Sequence, residues 1–333
     1  MALAAALALT LSACGGASPA ALGARFPALG DEEARLLAQA HPFVLPAGGR
    51  ATLFFCRWPS DAPIPVSLPP DATPDERRAI ETALRAWEGA GLGVRFLPLT
   101  DGAAAPIEIR FAGDPIETGA GRDTGNAVVD CRIAPLSQQE AGADAVHGAE
   151  LASAKLRLAR RTGGGLQKPR ALAPPEQIGL ALHELGHALG FEGHVRRGES
   201  AMTSEVERIP RAGRALLAGE PFDDPALRAL YRLPSGAVLS STAVEPWRTD
   251  LVDRMGRLAE QGGLDGPFVR VGETAGRIFW RDRQGAEYGL LVARLRELLR
   301  DPRRLEVLPE PRTRRALPRE RDRRPGGDQA GAE

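Results

Sequence analysis

The sequence predicts an α+β fold with a small α+β appendage at the C-terminal end. Three observations carry that expectation. Segments such as Ile107-Glu108-Ile109-Arg110-Phe111 and Ala154-Lys155-Leu156-Arg157-Leu158 alternate apolar and polar residues, the two-residue period of half-buried strands. Before and after them lie stretches of helical period, opening at Thr73 and at Pro174. The 38 Gly and 28 Pro then supply the turns that join many short elements. Hydrophobic residues make up 43% of the 333, enough for a sizeable core, and the 26% of charged residues do not describe a disordered chain. The 43 basic and 43 acidic side chains cancel, so no net field favours nucleic acid or an acidic partner, and no nucleic-acid partner is expected. No apolar run reaches the roughly 18 residues of a membrane-spanning helix.

Taken in order, residues 1–14 read as a targeting segment. Residues 2–13 are apolar, too short to span a bilayer, and end in small side chains, as a secretory signal does. The ending Leu11-Ser12-Ala13-Cys14-Gly15 resembles the bacterial lipobox. That resemblance implies that Cys14 becomes the lipidated first residue of a protein anchored at the bacterial cell envelope, with Gly15 favouring the outer membrane. A plain cleaved signal and a secreted protein is the alternative. Residues 15–48 are rich in Ala, Gly and Pro, with one helical patch at 31–40, and read as a linker. In an oxidising compartment Cys56 and Cys131 read as a disulfide pair.

Ordered structure is expected from about residue 49. Pro65–Leu68 suggests a short strand. Thr73-Pro74-Asp75-Glu76 then opens a helix with a capping Thr, an early Pro and first-turn acids. Ile80, Ala83, Leu84 and Trp87 share one face, so Trp87 reads as core, and Gly89 and Gly91 end the helix. Val94–Phe96 suggests another strand. Residues 112–150 read as a long loop rich in Gly, Asp and Asn, long enough to suspect function. Pro225–Leu233 suggests a helix that closes the main domain, 49–235. In the accessory region, 236–310, helices are expected over Val244–Gln261 and Gly289–Arg300 and strands over Phe268–Val271 and Arg277–Trp280. Residues 311–333 read as a disordered, Arg-rich tail.

The chemistry concentrates at Leu182-His183-Glu184-Leu185-Gly186-His187-Ala188-Leu189-Gly190-Phe191-Glu192-Gly193-His194. Three of the chain's five His fall within these residues. A His-Glu-x-x-His pattern arises by chance in such a chain with a probability of about 0.005. On a helix, Ile178, Leu182, Leu185 and Leu189 share one face, while His183, Glu184 and His187 share the opposite arc of about 100°. Imidazoles four residues apart are neighbours and can bind one metal ion. Gly190 can end the helix in a left-handed turn and bring His194 round as a third ligand, leaving a fourth position open, as in catalytic zinc sites. Glu192 is the fallback third ligand. His41 and His147 read as surface or structural residues.

This run resembles the signature of the metzincin zinc metalloproteases, and most of all the matrixins and their bacterial relatives. The family spacing puts the third ligand at position 193, here Gly, so the turn must absorb one extra residue before His194. Metzincins also carry a Met in a tight turn beneath the zinc, and Glu199-Ser200-Ala201-Met202 fits that role, with Ser204 where some members have a Tyr ligand. The resemblance implies a metzincin-like domain: a twisted mixed sheet, a zinc-binding active-site helix, one catalytic Zn2+ on His183, His187 and His194, and Glu184 as general base. It implies an endopeptidase acting on peptides or proteins. By resemblance the strand around Ala154–Leu158, with Lys155 and Arg157, would be the sheet edge that pairs with substrate, and Glu205–Ile209 would wall the pocket. Structural zinc or Ca2+ in the 112–150 loop is also a family feature, although no ligand spacing marks it. Cys56-Arg57-Trp58-Pro59 distantly resembles the cysteine switch, an alternative to the disulfide in which the thiolate caps zinc. Two other functions stand beside the protease: an inactive metzincin-fold lipoprotein that serves as a binding module, and a zinc hydrolase of a non-protein amide.

Overall fold

The structure, a computed structural model, describes residues 29–233 apart from 48, 59–61, 100–102, 119–120, 134–148, 163–167 and 206. Beyond 233 it describes 237–243, 245–246, 268–269, 272–274, 276–281, 287–301 and 305–307. The signal segment with Cys14, His147, nearly all of the helix expected over 244–261 and the 311–333 tail lie outside the described residues.

Over residues 29–47, the part of it described, the segment expected as a linker over 15–48 is folded. Helix α1, Asp31–Leu37, opens with three acids, which suit the positive end of the helix dipole. Strands β1, Phe43–Ala47, and β2, Arg50–Phe55, follow as an antiparallel hairpin. Ala34, Leu36, Leu37, Ala38, Ala40, Phe43 and Val44 are all buried. Small side chains do much of this burial, and a count of Ala cannot separate a thin packed segment from a tether. The partners that cover it lie far along the chain. Strand β2 pairs on its other side with β12, Ala237–Ala243, and β12 pairs with β17, Leu305–Val307, giving a sheet of order β1-β2-β12-β17. Residues 236–310 are therefore joined to the N-terminal hairpin by backbone pairing. Arg232 pairs with Glu33, and Arg300 with Asp31 at 2.9 Å, across the same junction.

The main sheet is five-stranded and mostly parallel. After β3, Ile64–Ser67, comes α2, Pro74–Gly89, then β4, Phe96–Leu99, and β5, Ile107–Ala112. Thr73 caps α2: its hydroxyl accepts from Glu76 N, and the Glu76 carboxylate accepts from Thr73 N at 2.8 Å. Trp87 is fully buried, as its helical spacing implies. Strand β4 starts at Phe96 and not at Val94, because Gly91 and Gly93 hold left-handed φ values of 73° and 75° just before it. The loop expected over 112–150 is corrected in its first half. A small hairpin, β6 (Ile116–Thr118) with β7 (Gly121–Asp123), leads into β8, Gly125–Ile133, which runs antiparallel to β9, Ala149–Ala159. Gly, Asn and Asp in β8 are poor strand formers, and a bulge between Asp130 and Cys131 interrupts its alternation. The sheet order is β4-β3-β5-β9-β8. The strand of Lys155 and Arg157 is thus internal, and β8 ends the sheet on that side.

The short pair β10 (Arg161–Thr162) and β11 (Arg170–Ala171) precedes α3, Pro174–Ala188. Helices α4, Ile209–Leu217, and α5, Pro225–Arg232, follow. A second four-stranded sheet has the order β13-β16-β15-β14, from Glu245–Pro246, Glu287–Leu291, Arg277–Arg281 and Gly272–Thr274. The helix expected from Gly289 begins only at Val292 (α6, Val292–Arg300), because Gly289–Leu291 is taken up in pairing with β15. Glu245–Pro246, expected to be helical, pairs with β16 instead. Val269 bridges to Val44, and Phe268 meets the edges of Phe43 and Phe54 at 5.7 and 5.2 Å, so this region too packs on the N-terminal hairpin. No helix among the described residues is long and apolar enough to cross a membrane.

Cys56 and Cys131 form a disulfide with Cα atoms 6.1 Å apart, and this removes the cysteine-switch alternative for Cys56. The bridge spans 75 residues of chain. Loop-closure entropy then predicts that Cys131→Ser lowers unfolding stability by about 4.5 kcal/mol. Urea unfolding of the variant and the parent checks the value; equal midpoints would contradict it.

Candidate metal centre

Helix α3 sits between the main sheet and the C-terminal helices, and its register is held by polar contacts to other elements. The Trp87 indole donates to Leu182 O at 3.0 Å. At the other end the Trp58 indole donates to Ala188 O at 2.7 Å, and the Tyr231 hydroxyl donates to Leu189 O at 3.1 Å. These two contacts satisfy carbonyls that a helix end leaves without intrahelical partners. Gly186 lets the Met202 side chain lie against the helix backbone: a Cβ there would stand 2.1 Å from Met202 Sδ. Met202 is fully buried. The helix presents no open polar face. His183, Glu184 and His187 are only 5%, 4% and 8% exposed.

Gly190, at φ 102°, ends the helix in the left-handed turn read from the sequence. The chain returns through Gly193 to Val195, and His194 joins the two helical imidazoles. One ligand atom from each of the three rings lies within 4.8 Å of the others. Ring centroids are 4.8, 5.2 and 5.0 Å apart, a nearly equilateral triangle. Glu192, the fallback ligand, is not in the cluster.

The donor chemistry can be read from the hydrogen bonds. His183 Nδ1 lies 2.7 Å from Ala201 O, and His187 Nδ1 lies 2.7 Å from Phe191 O. A carbonyl only accepts, so both protons sit on Nδ1 and each Nε2 carries a lone pair. The two Nε2 atoms are 3.2 Å apart. Lone pairs facing each other at that range repel. A shared cation turns the repulsion into ligation, and nitrogens about 2.0–2.1 Å from a tetrahedral ion stand roughly 3.3 Å apart. Burial holds the His183 ring below the ordinary imidazole range. Burial, followed by the neighbouring His183 and His194, holds His187 well below it. The helical rings are therefore neutral, the form that binds metal. The three histidines lie close enough to bind one metal ion, and their nitrogen donors are compatible with zinc.

Glu184 follows His183 on the helix and lies against the start of the edge strand, where a Cβ on Gly125 would stand 2.1 Å from Glu184 Oε1. Burial, and after it the charges of Asp123 and Glu192, push its carboxyl up to about 8. Its Oε2 is buried with no hydrogen-bond partner among the described residues. A nearby divalent cation acts in the opposite direction and favours the carboxylate. The site thus combines a cation cradle with a proton acceptor sealed from bulk water.

Four contributors were not legible in the sequence. Asp224 is fully buried; its Oδ2 accepts from Ala201 N at 2.7 Å and from Ser200 Oγ at 2.9 Å, and its Oδ1 accepts from Ala226 N and Leu227 N at 3.0 Å each. It thereby fixes the turn whose carbonyl receives the His183 proton. An Asp before a Pro is a helix-start signal, which locates the cap but not its contact with residues 200–201. Trp58, Tyr231 and Gly125 carry no local signal for their roles. His41, expected at the surface or in a structural role, is buried beside Gly193. Lys155 and Arg157 are exposed on one face of an internal strand. Of the expected pocket wall, Ile209 packs its backbone against Gly179 of α3. No family model matches the chain, and no curated protein matches it.

Proposed function

We propose that the chain is a zinc-dependent endopeptidase of the metzincin type, held at a bacterial cell envelope through a lipid on Cys14. The observation that carries this reading is the convergence of His183, His187 and His194, with the buried Glu184 next to His183 on the same helix. The three imidazoles would hold the ion. When bound there, zinc supplies Lewis-acid polarisation of a peptide carbonyl and lowers the pKa of water. Glu184 accepts the proton of the attacking water and returns it to the departing amine. Its burial keeps bulk water from competing for that proton. Ala201 O holds the His183 ring and Phe191 O the His187 ring by hydrogen bonds, while Met202 packs against the helix at Gly186, between the two.

A peptide substrate is supported by the edge of the main sheet. Strand β8 ends that sheet and begins at Gly125, in contact with Glu184. An extended peptide can add to such an edge through backbone hydrogen bonds. The sequence-based expectation put this edge at the neighbouring strand; the edge is β8.

The test joins metal analysis to cleavage of a peptide library by the purified protein. One zinc per chain and cleavage that a chelator stops are the expected results. A folded, metal-free protein would refute the reading. Bound zinc without cleavage of any peptide would favour the binding module or a non-protein amide instead.

A further inference from the structure

We propose that Gln39 is a positioning residue for His194, so that the metal centre extends into the N-terminal segment. This rests on the metal-binding reading above. His183 and His187 take their spacing from one helix. His194 does not; its ring stands where the 190–196 loop carries it, and that loop contains one residue more than the family spacing. The loop's backbone is fastened on both sides. Val195 N donates to Met202 O at 2.6 Å, inside the domain. Gly193 N donates to Ala40 O at 3.1 Å, and Arg196 N donates to Gln39 Oε1 at 2.9 Å, both toward the N-terminal segment.

The Gln39 side chain is itself oriented. Its Nε2 donates to Arg35 O at 3.1 Å, which directs Oε1 to the loop. It is 7% exposed, an unusual place for a long polar side chain. The approach is close: a Cβ on Gly193 would stand 2.0 Å from Gln39 O and 2.8 Å from the His41 ring. Residues 193 and 196 bracket His194, so the path between them is set by two anchors in one short stretch of the N-terminal segment. Loss of the Gln39 anchor frees the loop on the side of Arg196 and lets the third ring leave the triangle.

Zinc affinity of the full-length protein, measured by competition with a chromophoric chelator, tests this. Gln39→Met keeps the length and loses both hydrogen bonds; it should weaken zinc about tenfold, as loss of an outer support does in other sites. Gln39→Glu keeps an acceptor for Arg196 N but loses the donor to Arg35 O, so its affinity should fall between the parent and Gln39→Met. In a His194→Ala background, Gln39→Met should change affinity less than about twofold, since the effect runs through the missing ring. Equal affinity in the parent and Gln39→Met, or an equal loss with and without His194, would overturn the proposal. A residue that only supports the fold predicts that equal loss. Should Gln39→Met not fold, Gly193→Ala presses the loop away from Gln39 by sterics and should show the same dependence on His194; unchanged affinity there also overturns it. A parent that binds no zinc refutes the metal reading itself, and this proposal with it.

Discussion

A Glu184→Gln variant is expected to bind one zinc as the parent does and to hydrolyse peptides at least about a hundredfold more slowly. The expected range for losing a positioned general base is about 10²–10⁴ in kcat. Gln has nearly the same shape, so the contact with Gly125 is kept and the three imidazoles are untouched. What is lost is the carboxylate proposed to take the proton of the attacking water. The loss should fall on kcat more than on KM, because the carboxylate acts on the attacking water in the transition state. Steady-state kinetics on a cleaved library peptide, with zinc content measured on the same samples, checks the prediction. Equal rates in variant and parent would mean that the observed cleavage comes from another site or from a contaminant.

The site was legible in the sequence where its geometry is local. His183, Glu184 and His187 share one turn of one helix, and a four-residue spacing fixes their relation without any knowledge of the rest of the chain. Gly190 announced the bend, and His194 follows within four residues. The supports were not legible, because each is a contact between distant segments. Asp224 lies 23 residues from the Ala201 N–H it accepts, and Gln39 lies 157 residues from Arg196. The fold divided in the same way. Helix α2 and strands β3, β5 and β9 follow from capping and alternation. Strand β8 does not, since Gly, Asn, Asp and a bulge blur its period. The N-terminal segment reads as a tether because its few large apolar residues, Leu36, Leu37, Phe43 and Val44, are scattered among Ala, Gly and Pro, and its meaning appears only once β12 is paired beside β2. The accessory region reads as separate for the same reason: a strand's partner is not encoded next to it.

Replacement of Asp224 by Ala is expected to cost about 5 kcal/mol of stability, a large share of the 5–15 kcal/mol typical of a domain. The carboxylate accepts four hydrogen bonds in a place without solvent exposure. Ala leaves those buried donors without partners, at about 1–3 kcal/mol each before relaxation. Burial pushes this carboxyl above the usual range, and the hydrogen bonds pull the other way. Asn can accept at one oxygen and turns an amide toward the remaining donors, so Asp224→Asn should fall between Ala and the parent. The damage is also directional. Ser200 and Ala201 are held on one oxygen and the first turn of α5 on the other, so the Ala variant uncouples the turn of Met202 from that helix. Ala201 O then loses its fixed position opposite His183 Nδ1, and zinc affinity should fall together with stability. Unfolding in urea with a chelator present measures the structural part alone, and the difference in its absence gives the part carried by metal. A variant within about 1 kcal/mol of the parent under chelation would show that the turn holds without Asp224, and would leave Met202 packing against Gly186 as its main support.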